Sequence, residues 1–158
     1  MITRREWLTV TVGGAAAALA TRAEQALAIP SLKPTVITVY KTPTCGCCRL
    51  WVDHARSVLT GYEFKTLDMD DLSEVKARLG VPSALQSCHT AITGPYVFEG
   101  HVPADLIQRF LRERPKALGL AVAGMPAGSP GMDMGPRKDP YDVLLFDKAG
   151  TTRVYAKR

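Results

Sequence analysis

The chain has 158 residues, a formal net charge of +5 and 46% hydrophobic residues, enough for one core but not two. Its basic residues are scattered. The only local cluster, Arg109, Arg112, Arg114 and Lys116, reads as the solvated face of a helix and lacks the interleaved aromatics of a nucleic-acid surface, which excludes nucleic acid as a partner.

Met1 to Pro30 stands apart from the fold. Arg4 and Arg5 precede an uncharged stretch from Leu8 to Ala20, and Ala26-Leu27-Ala28 supplies small residues spaced for cleavage. The apolar run falls short of the roughly 18 residues a membrane-spanning helix needs. Residues 1–28 are therefore expected to be a cleavable export signal, with no membrane association afterwards; an uncleaved anchor is the alternative. Thr3-Arg4-Arg5-Glu6-Trp7-Leu8 resembles the bacterial twin-arginine signature, which places residues 29–158, as one domain, in the periplasm.

Thr35 to Tyr40 is a β-branched apolar run expected to form a buried strand. A Pro-marked turn leads to Thr44, a natural N-cap, and to Cys45-Gly46-Cys47-Cys48. Apolar positions then recur at Trp51, Val52, Ala55, Val58 and Leu59 in helical rhythm, up to Gly61. Tyr62 to Leu67 reads as a second strand. Asp71 with Glu74 has capping-box spacing and opens a short helix that buries Leu72, Val75 and Leu79. After a turn-rich passage ending in Cys88-His89, Thr90 to Thr93 and Tyr96 to Glu99 form a strand pair around Gly94-Pro95. A third helix, Ala104 to Arg114, is stopped by Pro115. The order β-α-β-α-β-β-α, with cysteines at the start of the first helix, is that of a thioredoxin-like α/β fold. Residues 116–140 hold five glycines, four prolines and three methionines, so an irregular loop is expected there. Asp142 to Phe146 and Thr152 to Tyr155 close the chain as a β-hairpin.

Cys45 and Cys48 have the Cys-x-x-Cys spacing of a redox motif at a helix start, where backbone N–H groups favour thiolate. Cys47 does not belong to that pattern. Exported cysteines pair by default, yet Cys47 and Cys48 are neighbours and only Cys88 is distant. Two structural bridges fit poorly, and a reactive or metal-binding cluster fits better. Cys88 is a candidate fourth sulfur or a relay for a disulfide. His54 lies too far along the helix to share a metal and is expected to be packed or at the surface. His89 and His101 flank the strand pair and stand between ligand and structural roles. Met125 and Met132, in the Gly/Pro-rich loop, are candidate thioethers or loop-closing hydrophobes. Thiolates with imidazole and thioether nearby select Cu(I), Zn(II) or an iron–sulfur cluster. Structural zinc usually wants two separate hooks and here there is one. Adjacent cysteines beside a Met-rich loop favour copper, with thiolates able to bridge more than one Cu(I) ion.

From about Thr35 to Tyr155 the chain resembles the exported CopG copper-resistance proteins. The resemblance rests on Thr44-Cys45-Gly46-Cys47-Cys48, Ser87-Cys88-His89-Thr90-Ala91, Glu99-Gly100-His101-Val102-Pro103-Ala104 and Met125-Pro126-Ala127-Gly128-Ser129-Pro130-Gly131-Met132. It implies a thioredoxin-like fold and a Cys-x-Cys-Cys copper site coupled to thiol redox chemistry. Cys45, Cys47, Cys48 and Cys88 match the family cysteines and His101 the family histidine. Gly94-Pro95-Tyr96 departs from the family's Gly-Tyr, which puts the strand turn, and the approach of Cys88 or His101, in question. The expected function is a periplasmic copper-binding protein of copper resistance, with copper ions as cargo and other periplasmic copper carriers or thiol redox proteins as partners. The alternative is a thiol–disulfide oxidoreductase without a physiological metal, with Cys45 attacking and Cys48 or Cys47 resolving. Whether the chain is an enzyme, copper- or thiol-linked, is open at this point.

Overall fold

The computed structural model describes residues 35–133 and 135–158; the expected export signal lies outside them. Seven strands form one mixed sheet flanked by three helices. In chain order these are β1 (Thr35–Lys41), α1 (Gly46–Val58), β2 (Tyr62–Asp68), α2 (Ser73–Arg78), a 3-10 turn (Ser83–Leu85), β3 (His89–Thr93), β4 (Tyr96–Glu99), α3 (Ala104–Glu113), β5 (Gly119–Ala121), β6 (Asp142–Phe146) and β7 (Thr152–Lys157). The strands lie side by side as β2-β1-β3-β4-β5-β6-β7. β1 runs parallel to β2, and β4 parallel to β5; the other pairings are antiparallel.

Side-chain alternation along the strands divides the interior into two layers. Phe98 and Leu120 join Ile37, Val39, Trp51, Ile107 and Phe110 in the larger core. Their strand neighbours Val97 and Ala121 join Val81, Leu85, Leu118 and Phe146 in the smaller one. α1 inserts Trp51, Val52 and Ala55, and α3 inserts Leu106, Ile107 and Phe110, as their three-and-four spacing requires. Phe110 meets the rings of Phe98 and Tyr96 edge-on at 5.6 and 5.0 Å, each such pair adding about 0.5–1.5 kcal/mol to the area buried.

Several local expectations are corrected. Residues 116–140 are not wholly irregular, because Gly119–Ala121 forms β5. Thr44 does not cap α1: Cys45 takes the N-cap position, in extended conformation and without a side-chain cap. The Asp71–Glu74 capping box is not formed. Asp71 instead accepts the Ser73 N–H at 2.8 Å and its hydroxyl at 2.6 Å, an Asx-type turn that opens α2.

Register decides where the chemistry gathers. Lys41, at the end of β1, is opposite His89, at the start of β3, and Thr90 is opposite Glu99. The loop after β1, the start of β3 and the end of β4 therefore meet at one end of the sheet. Gly94-Pro95 turns the chain at the other end, so the proline does not bear on the approach of Cys88 or His101.

Candidate metal centre

β1 ends at Lys41 and the chain turns through Thr42-Pro43-Thr44, with the Cys45 N–H donating to the Thr42 carbonyl at 3.3 Å. No acidic side chain sits in the first turn of α1. Its unpaired N–H groups and dipole thus face sulfur and favour negative charge there. Cys45 and Cys48 are joined as a disulfide, whereas Cys47 and Cys88 are free. The Cys47 sulfur lies 3.3 Å from that of Cys45 and 3.9 Å from that of Cys88. Cys48 is fully buried and its sulfur is 3.6 Å from the Cys88 carbonyl. The four sulfurs all lie within 4.8 Å of one another. Thiolates around a tetrahedral metal at about 2.3 Å stand about 3.8 Å apart, so the donor set fits a soft metal once the disulfide is open.

Cys88 is held against two imidazoles, His89 Nδ1 at 3.3 Å and His101 Nε2 at 3.0 Å. Burial pushes the Cys88 thiol up to about 12, with the adjacent Cys47 adding to the shift and a contact with Ser87 opposing it. The free protein therefore carries Cys88 as a thiol, and a metal binding there releases its proton.

His101 is fully buried, and its Nδ1 lies 2.8 Å from the Pro130 carbonyl. A carbonyl only accepts, so Nδ1 carries the proton and Nε2 presents its lone pair towards Cys88. Burial keeps His101 below its ordinary value, against the pull of that carbonyl. His89 is also fully buried, and its Nε2 has no hydrogen-bond partner among the described residues. Its ring lies 4.4 Å from the Trp51 ring and 5.1 Å from that of His101. Burial first, then His101 and Lys76, hold His89 well below its ordinary value, against a backbone contact with Gly100 that pulls the other way. His54 stays outside the centre, where its Nε2 accepts the Ala104 N–H at 3.3 Å.

The Gly/Pro/Met loop reaches the centre through its backbone. Gly131 has φ +85°, and a Cβ there would lie 2.7 Å from the Cys47 carbonyl oxygen and 2.8 Å from the Trp51 nitrogen. Only glycine lets the strap lie this flat on α1, and that approach sets the Pro130 carbonyl on His101. Met125 is 54% exposed and Met132 is half-buried.

A buried ion pair that no local sequence pattern marks as a pair lies behind Cys88. Lys76 and Glu99 are 5% and 0% exposed. Lys76 donates to Glu99 Oε1 at 2.5 Å and to the Thr90 hydroxyl at 2.9 Å. Glu99 also accepts from the Thr90 hydroxyl at 2.6 Å and the Ser87 N–H at 2.7 Å. Burial raises the Glu99 carboxyl, and Lys76 with these hydrogen bonds pulls it back down. The network grips residues on both sides of Cys88-His89. One signal was available: Lys76 follows Leu72 by four residues, on the face that α2 buries.

An α/β domain whose sheet end gathers four sulfurs and two imidazoles belongs to the class of cysteine-rich proteins able to hold a soft transition metal. Two solved structures titled copper resistance protein CopG, in forms 2 and 1, are 42% and 43% identical to this chain. Each superposes with a TM-score of 0.73, covering 80% of this chain and 99% or 98% of the other. The chain belongs to the CopG copper-resistance family. A family model described as a protein of unknown function, DUF411, matches residues 85–132, the span from Leu85 through Cys88 and His101 to Met132. Among curated proteins none matches.

Proposed function

We propose that this protein binds copper in the periplasm as part of copper resistance, holding Cu(I) through Cys45, Cys47, Cys48 and Cys88 when Cys45 and Cys48 are reduced. The observation that carries this is the meeting of all four sulfurs within 4.8 Å. Cys47 matters most, since it sits between the Cys-x-x-Cys pair and Cys88 and lets thiolates bridge more than one ion. His101 is a further ligand or orients Cys88. Met125 and Met132 are thioethers carried on the strap. Export rests on the signal read in residues 1–28, and among the described residues no helix is long and apolar enough to cross a membrane.

The thioredoxin-like reading of residues 35–113 is supported by the strand order β2-β1-β3-β4 and by a Cys-x-x-Cys pair at the start of α1. That pair favours a second reading, in which copper is coupled to thiol redox chemistry. Two thiolates, Cys45 and Cys48, would each give one electron to a Cu(II) ion, forming one S–S bond and two Cu(I) ions. Copper carriers and thiol oxidoreductases of the same compartment are the partners this implies. The deciding experiment loads the reduced protein with Cu(I) against a strong competing chelator, and separately offers it a disulfide substrate. Retention of several copper equivalents supports the copper reading. Weak binding of at most one, with ready disulfide turnover, would replace it by the oxidoreductase.

A further inference from the structure

The sheet end away from the metal centre, where Thr93 pairs with Tyr96 across the Gly94-Pro95 turn, is incompletely covered. Leu79, Ile92 and Leu144 stay half-buried at the margin of the smaller core, and a groove opens beside them. One cavity of about 500 Å³ is walled by Leu79, Ile92, Tyr96, Val97 and Leu118. A second, of about 470 Å³, shares Pro95, Tyr96, Leu118 and Lys148 with the first and reaches the β6–β7 turn at Asp147 and Ala149. Both volumes fall in the range of about 300–1,000 Å³ that small-molecule sites occupy, and mainly apolar walls with a few polar groups are their usual lining. The charged groups here are nearly all cations: Arg78 and Lys148 at the first cavity, Lys116 and Lys148 at the second. All three are exposed, and none forms an ion pair among the described residues. The one carboxylate of the lining, Asp147, is engaged by its own turn, where Oδ1 accepts the Ala149 and Thr151 N–H groups at 2.9 and 3.0 Å.

We propose that this groove binds a small amphipathic carboxylate, an organic acid with an aliphatic or aromatic body. The body lies against Leu79, Ile92, Val97 and Leu118, and the carboxylate meets Lys148, which lines both cavities, with Arg78 or Lys116 alongside. Each half of that ligand answers one feature of the groove. An inorganic anion would satisfy the cations and leave the apolar walls wet, whereas a neutral apolar solute would fill the walls and leave the cations unmatched. Val97 and Leu118 are buried at the base, so the groove has a depth that a flat bilayer surface does not fill. No residue of the lining belongs to the metal centre, so the proposal does not rest on the copper reading.

The test titrates the full exported chain with octanoate, followed by amide chemical shifts, which needs no variant to fold. One equivalent should bind saturably, moving the resonances of Ile92, Tyr96, Leu118 and Lys148 while those of Cys47, Cys88 and His101 stay in place. 1-Octanol and octyltrimethylammonium, of the same chain length, should bind at least tenfold more weakly. Added salt should weaken octanoate and leave 1-octanol unchanged, because the rim cations are exposed to screening. Arg78→Glu combined with Lys148→Glu should weaken octanoate at least tenfold, leave 1-octanol unchanged and retain as much Cu(I) as the parent. Absence of saturable shifts in the unmutated protein, equal affinity for the three probes, or shifts centred away from the groove would overturn the proposal. Co-sedimentation with phosphatidylglycerol vesicles in place of octanoate binding would overturn it too, and make this face a membrane contact. Cu(I) titration of the reduced protein reports on the metal centre separately.

Discussion

Gly131→Ala is a single-methyl perturbation whose cost follows from the geometry of the strap. Gly131 has φ +85°, where an L-residue pays about 1–2 kcal/mol. The added methyl would also sit 2.7 Å from the Cys47 carbonyl oxygen and 2.8 Å from the Trp51 nitrogen. Both are backbone atoms of α1 that cannot swing aside, so the strap must lift. Lifting it breaks the 2.8 Å bond from His101 Nδ1–H to the Pro130 carbonyl, leaving a buried donor at a further cost of about 1–3 kcal/mol. The sum is about 2–5 kcal/mol, bounded by detachment of the strap. Removing the partner that orients a metal-binding histidine typically costs 10–100-fold in affinity. Urea unfolding of the metal-free protein and copper competition on the loaded protein read the two effects. A variant with both the unfolding midpoint and the copper affinity of the parent would refute the claim that the strap positions His101.

Cys47→Ser should lose most bound Cu(I) while still forming the Cys45–Cys48 disulfide, as read by copper analysis and thiol counting; full copper retention would remove Cys47 from the site. Lys76→Met leaves Glu99 buried without its cation and should cost about 3–5 kcal/mol in urea unfolding. Adding Glu99→Leu should recover only part, because the Ser87 N–H and Thr90 hydroxyl then lose their acceptor; a single variant as stable as the parent contradicts the buried pair. The metal-free protein should lose stability in acid. His89, His101 and His54 all lie below the ordinary 6.5 when folded, so below that pH the unfolded chain takes up protons that the folded one refuses. Stability is complete above about pH 6.5 and falls as pH falls, at up to about 1.4 kcal/mol per pH unit for His89. Urea midpoints at pH 8 and pH 5 test this, and a flat profile would contradict it.

The elements through α3 were legible because each carries a clear period: Trp51, Val52 and Ala55 mark one helical stripe, and Thr35 to Tyr40 a β-branched run. The cysteine cluster was legible because spacing at a helix start is local. What escaped depends on tertiary contact. β5 is three residues, Gly119–Ala121, in a Gly/Pro-rich stretch where no period can show; pairing with β4 and β6 makes it a strand. Lys76 and Glu99 are 23 residues apart and carry no local pattern that pairs them, and only the fold buries one against the other. The Met-rich loop offers thioethers in its sequence, whereas its observed tie to the centre is the Pro130 carbonyl on His101, which no side-chain pattern reveals.

The most direct test of the copper account is titration of the fully reduced protein, with four free thiols, against a chelator of high Cu(I) affinity. The account predicts several Cu(I) equivalents held in competition, with thiolate-to-copper charge transfer in the ultraviolet growing until all four thiols are protected from alkylation. At most one weakly held equivalent, with Cys47 and Cys88 still open to alkylation, would contradict it.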